Sequence, residues 1–140
     1  NRIDVLLAWK ENSGKHTSSY IDDIEWKNAI TLAGLKQMDV LARGKWDESR
    51  WEELLDRSEV FVRESGLLQD SHRSDILVGV EDIIFQSNSK VKALLCMLGS
   101  SLVIVPENIG NVNDIDYNLL AELLEKEGFK TIKTKVGKLF

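Results

Sequence analysis

The sequence predicts an α/β domain in which helices pack on a small mixed sheet. Three observations lead there. Short apolar runs of strand length stand near both ends, at residues 3–9 and 102–105. Longer segments between them repeat apolar residues at helical spacing. The last third runs strand, helix, strand, which suits a right-handed crossover. The 140 residues are expected to form one domain with its own core.

Residues 3–9, Ile-Asp-Val-Leu-Leu-Ala-Trp, read as a mostly buried strand that Asp4 interrupts. Ser13-Gly14 marks a turn in the polar stretch after it. Residues 20–27, Tyr-Ile-Asp-Asp-Ile-Glu-Trp-Lys, read as a second strand, antiparallel to the first. Residues 28–42 read as a helix with Ile30, Leu32, Ala33, Leu35, Met38 and Leu41 near helical spacing, and Gly44 past its end. Asp47 is a good N-cap for the next helix, whose stripe is Trp51, Leu54, Leu55 and Phe61 and which Gly66 ends. Ser74 or Asp75 caps a third helix through Phe85. Its β-branched residues leave a strand pair around Gly79 as the alternative.

Beyond the break at Ser87-Asn88-Ser89, residues 91–98 read as a fourth helix. Residues 102–105, Leu-Val-Ile-Val before Pro106, read as a buried central strand. Asp114 or Asp116 caps a helix over 117–126, with Gly128 at its end and Phe129 folding back. Residues 131–136 alternate, Ile132, Thr134 and Val136 against Lys133 and Lys135. That is a last strand, at an edge where lysines discourage further pairing.

Composition narrows the function classes. No apolar run approaches the ~18–20 residues that span a bilayer, so no membrane is expected. Cys96 is the only cysteine, which rules out an intrachain disulfide and suits the cytoplasm or another reducing intracellular compartment. It stands in an apolar run and reads as a buried, inert thiol. The net charge of −5 is uneven: residues 46–82 carry four basic and eleven acidic side chains, while the segments on either side are each slightly basic. An acidic, tryptophan-bearing segment at 47–82 could meet a basic protein partner. His16 and His72 lack metal-ligand spacing. Ser100-Ser101 has no nucleophile-elbow pattern, and no glycine-rich phosphate loop is present. The first residue is Asn1, and the chain reads as part of a longer protein.

The residues with most chemistry are Asp4 on the first strand and Glu25-Trp26-Lys27 on the second, where period-two alternation puts Asp23, Glu25 and Lys27 on one face. This pattern, with its strand-helix-strand tail, resembles the PD-(D/E)xK, or restriction-endonuclease-like, nuclease superfamily. Ile3 stands where the family has Pro, Asp22-Asp23 stand where it has apolar residues, and residues 45–90 would be an acidic helical insertion. The resemblance implies a metal-dependent endonuclease, a hydrolase of phosphodiester bonds that binds nucleic acid, DNA rather than RNA. Asp4 and Glu25 would hold Mg2+ or Mn2+ together with the carbonyl of Trp26, and Lys27 would position the attacking water. Asp4, Glu25 and Lys27 would then be the catalytic set. Gln37 lies where some members place a supporting Gln; a solvent-facing side chain is the other reading. The alternative function is non-enzymatic: an acidic protein-interaction domain, an inhibitor or immunity-type binder of a basic partner. The two differ in whether Asp4, Glu25 and Lys27 converge.

Overall fold

The computed structural model describes residues 2–10, 23–96 and 100–137. The elements run β1 (Arg2–Trp9), α1 (Ile24–Leu41), α2 (Trp51–Glu64), α3 (Ser71–Ser87), β2 (Val91–Leu95), β3 (Ser101–Pro106), α4 (Tyr117–Lys126) and β4 (Lys130–Gly137). Short 3-10 turns precede α2, α3 and α4.

Two elements depart from the sequence reading. Residues 24–27, expected on a strand, open α1 instead. Asp23 is the cause. Its carboxylate accepts from the backbone N–H of Glu25 at 3.0 Å and of Trp26 at 3.2 Å. It thereby satisfies donors that a helix start leaves bare, and its charge suits the positive end of the helix. Residues 20–22 of the expected strand, and the turn at Ser13-Gly14, lie outside the described residues. Residues 91–95, expected in a helix, form β2. Asn88 ends α3 in the left-handed conformation, φ 53°. The apolar run after it then pairs antiparallel with β3, Val91 opposite Pro106 and Leu95 opposite Leu102. A short apolar run fits either structure, and here the neighbouring strand decided. Cys96 follows β2, half-buried, and its carbonyl accepts from Arg73 at 3.0 Å. Residues 71–87 are helical throughout, so no strand pair forms around Gly79, and Asp70 is the cap.

The sheet order is β2-β3-β1-β4, and every hydrogen-bonded pair is antiparallel. The expected mixed sheet is thus corrected to an antiparallel one. β3 and β4 do run parallel, as a crossover through α4 requires. However, β1 lies between them and pairs with both. β1 and β2 are likewise parallel, with β3 between. This is the split β-α-β-β-α-β plan with three helices in the first crossover.

Both faces of the sheet carry core. Leu6 and Ala8 of β1, with Leu102 and Ile104 of β3, point to one face and are at most 1% exposed. There they meet Ile76, Val80 and Ile83 of α3 and Leu120 and Leu124 of α4. Val5 and Val105 point to the other face and meet Leu55 of α2. Trp51 packs beside them and donates its indole N–H to the Pro106 carbonyl at 2.8 Å. Val62, two turns beyond Leu55, joins the first core. The helix α2 therefore lies along the outer edge of β2. Residues 45–90 supply much of the core through α2 and α3.

Beyond α2 comes α1. Its Gly34 faces the Phe61 ring of α2, and a Cβ there would make an ordinary contact at 3.7 Å. Gly66 ends α2 with φ 82°, and a Cβ on it would meet the Trp26 ring at 3.2 Å. A side chain at Gly66 would be strained and would press on the Trp26 ring of α1. Among the described residues no helix is long and apolar enough to cross a membrane.

Candidate functional site

Asp4 is where the sequence reading placed it, on a strand, but its company is different. Its ladder partner is Lys135 of β4, whose ammonium lies 3.0 Å from the carboxylate. That hydrogen-bonded lysine, with Lys133 nearby, holds the Asp4 carboxyl below its usual range. The Tyr117 hydroxyl donates to the Asp4 backbone carbonyl at 2.8 Å. Burial first, and the Asp4 charge second, push that hydroxyl up to about 12, so it is a fixed donor. The Asp4 carboxylate ties β1 to β4, and its backbone carbonyl ties β1 to α4.

Glu25, Trp26 and Lys27 do not join it. β1 forms ladders with β3 and β4, so no strand carries Glu25 and Lys27 past Asp4. Both sit exposed in the first turn of α1. Residues two apart on a helix point to nearly opposite sides, so they share no face. The Trp26 carbonyl is taken up by the helical ladder, and its ring packs over Gly66. The expected catalytic set and the Mg2+ or Mn2+ ligand set of Asp4, Glu25 and Trp26 are thus divided between β1 and the first turn of α1, not between two paired strands. Among the described residues no three His, Cys, Asp or Glu side chains group so as to hold a metal. Gln37 is neither solvent-facing nor beside Asp4. It is 4% exposed and bridges α1 to α2, donating to Glu64 at 3.3 Å and accepting from Arg57 at 3.3 Å. Of the histidines, His72 is half-buried in the first turn of α3, and His16 lies outside the described residues.

The structure builds a different constellation from the acidic segment. A groove of about 570 Å³ opens between α2, α3 and β2, walled by Glu59, Glu81 and Glu107 with Lys92 and Phe85 among them. Lys92 points from β2 toward α2, 2.7 Å from Glu59 and 3.5 Å from Asp56. The Glu59 hydrogen bond raises the Lys92 ammonium above its ordinary value. Burial raises the Glu81 carboxyl, with further push from Glu59 and Asp82. Glu107 is held at the end of the β2–β3 pair by its N–H, which donates to the Lys90 carbonyl at 3.1 Å.

Phe85 is 86% exposed in this groove. Its position follows from helical geometry. Ile76, Val80 and Ile83 make the buried side of α3, and at 100° per residue Phe85 falls on the opposite side. That offset is the signal in the sequence that could have singled it out. Glu81 and Asp82 were legible only as members of an acidic run. Glu59 and Glu107 meet through the sheet and not through any local spacing.

The chain thus presents an acidic, aromatic-bearing groove and a strand carboxylate tied to lysine. Comparison with protein-family models, with curated proteins and with solved structures finds no match for the chain.

Proposed function

We propose that the chain is a protein-interaction domain whose acidic groove receives a basic segment of a partner, in the manner of an inhibitor or immunity-type binder. One observation carries this reading: Phe85, 86% exposed, stands in a groove walled by Glu59, Glu81 and Glu107. Aromatic side chains are enriched at interfaces and often serve as their anchors. The single ammonium in the groove, Lys92, already faces two carboxylates, so the net field there favours a cation and speeds its approach. Burial raises the Glu81 carboxyl in the free protein, and a bound cation would favour its ionised form. Affinity is expected to rise with pH through the Glu81 range and to fall with salt.

The test is an anisotropy titration with an arginine-rich peptide carrying one aromatic residue, against an acidic peptide of equal length. Saturable binding of the basic peptide is expected, weakened about tenfold by Phe85→Ala. No saturable binding at low salt, or binding indifferent to Phe85→Ala, sinks the reading. Duplex DNA with Mg2+ or Mn2+ separates it from the nuclease reading. Intact DNA is expected; cleavage abolished by Asp4→Asn and by Glu25→Ala would replace the interaction domain with the nuclease.

A further inference from the structure

The open edge of the sheet belongs to β4. It rests on β1 and α4, and all of it but Thr131 is exposed. Its hydrogen-bonding phase follows from its neighbours. The Lys10 N–H donates to the Ser100 carbonyl at 3.2 Å, in register with Ala8 opposite Leu102 and Leu6 opposite Ile104. Backbone groups alternate sides along a strand, so Leu6 and Ala8 bond toward β3. Val5 and Leu7 then bond toward β4, to Thr134 and Ile132. Asp4 shares the phase of Leu6 beyond the last ladder pair, and its carbonyl takes the Tyr117 hydroxyl instead. On β4 the backbone N–H and C=O of Thr131, Lys133 and Lys135 therefore point outward, where no hydrogen-bond partner meets them among the described residues. The side chains sort by the same period. Lys133 and Lys135 stand on the face of Asp4, while Ile132, Thr134 and Val136 stand on the other.

We propose that β4 accepts an extended acidic segment of a partner protein as a further antiparallel strand. The carboxylates of that segment stand over Lys133 and Lys135, and its alternate apolar side chains stand over Ile132 and Val136. In such strand addition the main-chain bonds supply affinity and the alternate side chains supply specificity. Opposite charges directly across two strands attract, and like charges repel. A second copy of β4 would set lysine against lysine in the registers of greatest overlap. The row that deters self-pairing thus selects a strand of opposite charge. Lys135 already holds Asp4 at 3.0 Å, so the incoming carboxylate extends an existing ion pair. This edge lies across the sheet from the acidic groove. The two surfaces take partners of opposite charge, and neither depends on the other.

Titration of isotope-labelled protein with a peptide of the length of β4, alternating Glu and Val, tests this by NMR. Saturable shifts centred on β4 are expected, with slowed amide exchange at Thr131, Lys133 and Lys135. Methylating the backbone nitrogens of the Glu residues removes the bonds that face β4, and is expected to weaken binding about tenfold. Methylating those of the Val residues, which face away, is expected to change little. Lys133→Glu, at an exposed position, keeps the fold by circular dichroism and weakens binding about fivefold. The arginine-rich peptide still binds that variant, because the groove lies at the other edge. Absence of saturable shifts overturns the proposal. Equal weakening by the two methylations, or the same shifts from a single-stranded oligonucleotide of equal charge, also overturns it, since charge alone then explains the contact. Binding indifferent to Lys133→Glu overturns its charge selectivity.

Discussion

The two outer strands of the sheet solve the same problem in opposite ways. β2 is covered: Val91 and Leu95 are buried, α2 lies along its edge, and Lys92 is held by Asp56 and Glu59. β4 is open: nearly every residue is exposed, including Ile132 at 54% and Val136 at 42%. Its protection is charge, from Lys130, Lys133 and Lys135, which discourages further strand pairing. The difference teaches that one edge is secured by burial and the other by repulsion. It also gives the molecule polarity. Carboxylates of α2, α3 and the β2–β3 end gather at one edge of the sheet, lysines at the other. A basic partner is drawn to the β2 side and away from β4.

The comparison breaks first on core packing. Leu95→Ala, buried on β2 itself, is expected to lower stability by about 2–5 kcal/mol in urea unfolding. Ile132→Ala on β4 is expected to cost less than about 1 kcal/mol, because little is uncovered. Similar losses at both sites would erase the distinction between a buried and an open edge.

A smaller effect sharpens the electrostatic half. Lys92→Gln removes the one ammonium of the groove. Stability should fall by no more than about 1 kcal/mol, since the pair is partly solvated. At the same time the arginine-rich peptide should bind several-fold more tightly at low salt. Weaker peptide binding would mean that Lys92 itself contacts the partner.

The smallest effect concerns the ion pair that fastens β4 to β1. Because the folded state lowers the Asp4 carboxyl, its stabilisation is present above the ordinary value near 3.8 and is lost as pH falls through the lowered one. Asp4→Asn should therefore melt slightly below wild type at neutral pH, and the gap should close in acid. A gap that persists in strong acid would place the effect in packing and not in the charge.

Elements whose signals are local were legible. α4 has its cap at Asp116 and its end at Gly128, where the Phe129 N–H returns to the Leu124 carbonyl. β4 shows its alternation and β3 its apolar run. The start of α1 was misread although its signal is also local. Asp23 before a run with Glu25 in the first turn is a helix start, but Ile24 and Trp26 alternate for three residues and imitate a strand. The strand placement of Glu25 and Lys27 failed for a related reason. An acidic-x-Lys triple arises by chance roughly twice in a chain of this composition. Its meaning depends on the neighbouring strand, which no triple can specify. Glu59, Glu81 and Glu107 were visible as charges, and their convergence was not.

By itself the sequence determined the Asp116 cap of α4, the glycine ends and the apolar faces of most helices, because these rest on contacts within a few residues. Only the tertiary structure decided that β1 lies between β3 and β4. That choice made the sheet antiparallel and gave Asp4 to Lys135, while pairing with β3 turned residues 91–95 into a strand. The physical reason is that such pairings join distant segments at a cost in chain entropy, which is recovered only when both faces of β1 are buried at once.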